Sequence, residues 1–162
     1  MAEKRVVVKP ENKGFTVQEL ILIAVLIAAG AVLKLTVSSF LSFAGMKPNF
    51  MIAMYCLAII LTKPKVHQAI IIGLLVGLVS QIPLLNATPL VNFASEGLGA
   101  LACGLLVSGF SRIAPTNKGL QDMVFPVITT FLSTVVSGYS FALIVGAGIN
   151  GVPVMAVFAL YA

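Results

Sequence analysis

Glu96 is the residue whose chemistry most needs a reason, because it is the one acid in the interior of a long apolar stretch, residues 89–110, PLVNFASEGLGALACGLLVSGF. A carboxylate at mid-membrane costs roughly 2.5–3.5 kcal/mol on insertion scales, so it is retained where a cavity, a partner or a ligand compensates for it. On a helix Asn92, Glu96, Gly99 and Cys103 follow i, i+4, i+7, i+11 spacing, so one face presents an amide and a carboxylate above small residues. Such a face can wall a small polar pocket. It can also serve only to join helices, through a bond between Glu96 and a Ser or Thr on a neighbour.

The elements that must position Glu96 are membrane helices. The chain is 59% hydrophobic and 9% charged, with a mean hydropathy of +1.10, far from soluble globular usage. With 162 residues and about 20 residues per span, six spans with short loops nearly exhaust the length. The expected fold is an all-α, six-transmembrane-helix bundle forming one membrane domain, with no room for a soluble catalytic domain. A net charge of +5 would point to nucleic acid in a soluble protein. Here the positive residues lie between apolar stretches and report topology instead. Cys56 and Cys103 lie inside apolar stretches without CxxC or Cys/His spacing, so neither a disulfide framework nor a zinc site is supported, and both read as packing residues. His67 stands beside two lysines with no carboxylate near it in sequence and reads as a loop residue. There is no GxxxxGK[ST], GxGxxG, HExxH or GxSxG, so no enzyme, cofactor or metal is expected.

In chain order, residues 1–16 form a polar tail with four basic residues and no signal-peptide core. Spans are expected near 17–37, 48–62, 66–82, 89–110 and 124–146. A last stretch, 152–162, is about 16 Å as helix and too short to cross, as if the chain stopped inside a sixth span. In the first span Ala24, Ala28 and Ala31 repeat at i, i+4, i+7 and leave a flat face, suited to docking or to internal packing. The connection 38–47 mixes Ser, Gly and Phe and could lid a pocket. The second stretch is short, so its start sits within the membrane, with Lys47 just before it. The third carries Gly73, Gly77, Ser80 and Gln81 on one face, a GxxxG surface for close packing with Gln81 at a pocket edge. Asn86, in the uncharged connection that follows, reads as a cap. In the fifth, Thr130, Ser133, Thr134 and Ser137 share a face, and Gly138–Tyr139 is a place where regularity could break for a ligand.

Charge fixes the orientation. With the N-terminus inside, Lys4, Arg5, Lys9, Lys13, Lys63, Lys65, Arg112 and Lys118 are cytoplasmic and only Lys34 and Lys47 fall outside. Asn92 and Glu96 then lie in the outer half of the fourth span, near Lys47. Lys47 facing a carboxylate and Glu96 facing an ammonium would suit a zwitterionic amino acid. Phe40, Phe43, Phe50, Phe93 and Tyr139 could cover its side chain. Burying an indole's 150–250 Å² at about 25 cal/mol/Å² contributes on the order of 4–6 kcal/mol, which makes micromolar binding reasonable.

The sequence GMKPN at residues 45–49, the small-residue first helix ELILIAVLIAAGAVLK, the basic turn after the second span and NFASEGLGAL at the start of the fourth resemble one family. It is the tryptophan-specific S components of energy-coupling factor (ECF) transporters, the TrpP-like family. The resemblance covers most of 17–110 and is weaker beyond. It implies a substrate-binding subunit of the cell membrane that captures tryptophan at its outer face, joins a coupling transmembrane subunit and two ATPases, and topples to release substrate inside. It carries Lys47, Asn49, Asn92 and Glu96 over as site residues. The alanine pattern that meets the coupling subunit falls on Ala24 and Ala28.

Three other readings compete. An S component for a vitamin such as thiamine or riboflavin would share the architecture and differ in the pocket. A structural or assembly protein would use Glu96 and Asn92 only to join helices. A proton-coupled carrier would need a relay that a single acid without a second carboxylate or histidine supplies poorly.

Overall fold

The computed structural model describes residues 14–40, 48–82, 85, 89–113 and 119–161. Helix α1 spans Val17–Phe40, α2 Phe50–Thr62, α3 Val66–Val79 and α4 Pro89–Ile113. Helix α5, Phe125–Leu143, is entered and left through π-helical turns at Leu120–Val124 and Ile144–Ile149, and α6 is Val154–Tyr161. The protein is an all-helical membrane bundle, with no strand among the described residues. Three of the described helices are long and apolar enough to cross a membrane, within Val17–Val37, Leu90–Ile113 and Leu120–Ile149. Helices α2 and α3, of 13 and 14 residues, rise only about 20 Å.

Local chemistry sets the helix ends. A capping box opens α1: the Glu19 amide donates to Thr16 Oγ1 at 3.3 Å, and the Thr16 amide donates back to Glu19 Oε2 at 2.7 Å. The helix then continues through Phe40, into the stretch expected to be a connection, because Ser38, Ser39 and Phe40 carry no breaker. The remainder of that expected lid, 41–47, lies outside the described residues. The basic turn folds tightly, with Lys63 in the left-handed region at φ 44° and its amide bonded to the Ile59 carbonyl at 2.9 Å. His67 falls in the first turn of α3 and is exposed. Pro126 has no amide to donate and stands where the wider π turn passes into α5. The helix runs unbroken through Gly138 and Tyr139, so the expected irregularity comes later, in the Gly146–Gly148 stretch where Val157 of α6 packs over Gly146.

Glycines bring α3 and α4 together. A Cβ on Gly73 would collide with Ala100 and the Glu96 carbonyl, one on Gly77 with the Phe93 backbone, and one on Gly104 with Ala69. The GxxxG surface of α3 is thus a helix-packing surface. Helix α4 turns an adjacent face to α2 and α5, and α1 lies against α2, where Gly30 gives room to Met51 and Met54. The core is continuous from Ile23 and Ile27 through Tyr55, Cys56 and Ile59 to Ala100, Cys103 and Val107. Cys56 and Cys103 are both buried in it as free thiols.

Candidate functional site

Asn92, Glu96, Gly99 and Cys103 are all buried along one face of α4, with Glu96 0% exposed. Asn49 Nδ2 donates to Glu96 Oε1 at 2.7 Å, a separation typical of a charge-assisted bond. From α5, Ser137 Oγ approaches Glu96 Oε2 at 3.5 Å, a much weaker contact. One carboxylate therefore ties together α2, α4 and α5.

Asn49 is the N-cap of α2, a position where asparagine ordinarily bonds its own helix. It makes no such side-chain cap bond, and its Nδ2 is turned to Glu96 instead. Its Oδ1 stays buried without a hydrogen-bond partner, an acceptor held beside a carboxylate. The hydroxyls of Tyr55 and Ser133 are likewise buried with no partner meeting hydrogen-bond geometry, while Tyr55 lies close enough to Glu96 and Ser137 to act on both. Buried polar groups are almost always satisfied, so the open acceptor Asn49 Oδ1 beside the acid marks a polar centre with capacity to spare.

The space that Gly99 was expected to leave for a ligand belongs to Tyr55. A Cβ there would overlap the Tyr55 hydroxyl and Ser137 Cβ. The polar row of α5 also differs from the expected one. Thr129, Ser133 and Ser137 are buried at i, i+4, i+8, whereas Thr134 is exposed and donates to the Thr130 carbonyl at 2.8 Å.

Other expected site residues are placed as follows. Asn92 lies buried one turn before Glu96. Gln81 Nε2 donates to the Gly77 carbonyl of its own chain segment at 3.0 Å. Tyr139 is half-buried on α5, about 200° round the helix from Ser137 at 3.6 residues per turn, so the fold does not align it with the face that meets Glu96. Lys47 and Asn86 lie outside the described residues. Ala24 and Ala28 are exposed on α1, each about 100° round the helix from its neighbour in the buried row, Ile23 and Ile27. Tyr55 and Lys34 were missed by sequence reasoning. Tyr55 looks like any aromatic in an apolar run, but Lys34 carried a readable signal, being a cation well inside an apolar helix.

A crevice lined by Ile60, Lys63, Val107, Phe110 and Phe125 opens at the other end of α2. Its volume of about 30 Å³ suits water-sized molecules and not an indole.

A family model described as tryptophan transporter TrpP matches residues 16–161. The chain belongs to the TrpP tryptophan transporter family. The match spans every helix of the bundle, including α5 and α6. A curated relative, the probable tryptophan transport protein of Bacillus subtilis (strain 168), is 32% identical over 130 residues, 80% of this chain and 72% of that protein. No solved structure matches this TrpP-family chain.

Proposed function

We propose that the chain is the membrane-embedded substrate-binding subunit of an ECF uptake transporter for tryptophan, held in the cell membrane with its N-terminus inside. The observation that carries the reading is the buried Glu96 carboxylate, bonded to Asn49 and bordered by the open acceptor Asn49 Oδ1, in a chain of the TrpP family. A carboxylate and an amide oxygen side by side are what an α-ammonium group, with three donors, requires. Asn92, one turn away, borders the same centre. Lys47, just before α2 in sequence, remains a candidate for the substrate carboxylate, and Gln81 and Tyr139 are candidates for the periphery.

The subunit role is supported by two features. The chain carries no nucleotide-binding loop, so concentrative uptake calls for an energising partner. Ala24 and Ala28 present a flat, exposed face on α1, where a helix of a coupling transmembrane subunit can approach closely. Two ATPase subunits would complete the transporter.

The test is equilibrium binding of L-tryptophan to the purified chain in detergent, with thiamine, riboflavin and leucine as competitors. The chain contains no tryptophan, so ligand indole fluorescence reports binding without protein background. Saturable binding at micromolar concentration or tighter, undisturbed by the competitors, is expected. Tight binding of a vitamin instead would move the substrate assignment, and binding of none by folded protein would leave Glu96 as a helix joint.

A further inference from the structure

Lys34 is the second charge inside the bundle. Among the described residues, the other charged groups sit at helix ends: Glu19 and Asp122 in first turns, Arg112 in a last turn, and Lys63 and Lys65 at caps. Only Lys34 and Glu96 stand more than a turn from the ends of their helices. One is a cation and the other an acid.

The fold brings these two to the same end of the bundle. Ile23, Ile27 and Gly30 form the row by which α1 faces the bundle, with Gly30 against Met51 and Met54 of α2. Lys34 continues that row one turn on, half-buried. Gly30 stands level with Met51 and Met54, so Lys34, one turn further along α1, stands level with the start of α2, where Asn49 holds Glu96. The two charges are of opposite sign and lie within electrostatic reach of each other, without a direct ion pair between them. Intramembrane charges of opposite sign are retained chiefly by pairing with each other.

We propose that Lys34 and Glu96 are the two charges of one site, and that a zwitterionic amino acid binds between them. Its ammonium meets Glu96 with Asn49 Oδ1, and its carboxylate meets Lys34. This rests on the tryptophan-binding reading above. With the zwitterion bound, each of the two charges meets a counter-charge, which offsets the desolvation cost of the site. A ligand lacking either ionic group would strand one of the two, which turns charge neutrality into selectivity for the zwitterion. Helix α1 then carries the substrate's counter-cation on one face and the exposed Ala24–Ala28 surface on the neighbouring one, joining occupancy to the face offered to a partner.

The experiment measures affinities of L-tryptophan, tryptamine and indole-3-propionate for the wild type, K34M, K34R, K47M and K34M/E96Q. In K34M, tryptophan binding should weaken about 10- to 100-fold, the range for a hydrogen bond to a charged group. Tryptamine should bind K34M more tightly than the wild type, since its ammonium no longer meets a stranded lysine. K34R should keep the wild-type order. K34M/E96Q, which removes both charges, should bind the three ligands with similar affinity, and it decides the matter if K34M alone does not fold. Equal losses for all three ligands in K34M, or a retained preference for the zwitterion in the double variant, would overturn the proposal. A loss of tryptophan affinity in K47M but not in K34M would assign the carboxylate to Lys47 and overturn it as well. A wild type that binds no tryptophan would sink the substrate reading itself, a result distinct from either.

Discussion

At the scale of single residues, the distances around Glu96 rank its partners. The Asn49 bond at 2.7 Å should outweigh the Ser137 contact at 3.5 Å, since hydrogen bonds weaken steeply with length. Asn49→Ala is therefore expected to lower tryptophan affinity about tenfold or more, and Ser137→Ala by much less, in parallel binding titrations. Glu96→Gln should weaken L-tryptophan more than indole-3-propionate, because only the former carries an ammonium. Equal losses would remove Glu96 from ammonium recognition. Gly99 is constrained from another direction, by Tyr55 and Ser137. Gly99→Ala should destabilise the fold by about 1–3 kcal/mol through overpacking, and Tyr55→Phe in the same chain should restore part of it by deleting the hydroxyl that the methyl meets. Thermal unfolding in detergent reads both, and an absence of rescue would mean that the Ser137 side, not Tyr55, sets the limit.

At the scale of elements, α4 works because it has two different faces. Phe93, Ala100 and Gly104 meet α3 through glycine-mediated contact, and Asn92, Glu96, Gly99 and Cys103 meet the other helices. In lipid no hydrophobic effect drives helices together, so close backbone approach supplies the cohesion. Gly73→Leu should push α3 off α4, since even a Cβ overlaps Ala100 and the Glu96 carbonyl. Loss of the folded-protein peak in size-exclusion chromatography is the expected outcome, while the matching change at Gly109, where a Cβ meets nothing within 4 Å, should be tolerated. Helix α2 carries a trade of another kind. Its N-cap asparagine bonds Glu96 instead of its own first turn, giving up a cap that contributes about 1 kcal/mol elsewhere. Local rules tend to be broken where function needs the residue.

At the scale of the whole molecule, α1 is the least covered of the long helices, with only 17% of its apolar window buried. Ile21, Val25 and Val32 are exposed beside Ala24 and Ala28. Lipid can cover the large side chains, but the alanines are what permits another helix to come close. Ala24→Leu with Ala28→Leu should leave tryptophan binding intact and abolish uptake by cells carrying the complete transporter. Undiminished uptake would strike the docking assignment.

Composition and apolar run lengths alone determined the helical membrane class, because lipid leaves the backbone few other ways to satisfy its hydrogen bonds. Sequence alone also singled out Glu96, since an acid inside an apolar run is costly wherever it falls, and the GxxxG face of α3, since small residues at that spacing have one main use. Family membership was legible in GMKPN and NFASEGLGAL. Tertiary structure decided what those residues meet. That Asn49 turns from its cap to Glu96, that Tyr55 fills the room beside Gly99, and that Lys34 stands level with the start of α2 all depend on how helices are laid against one another. Spacing along one helix fixes which residues share a face, but the partner of that face is set by packing between segments far apart in the chain.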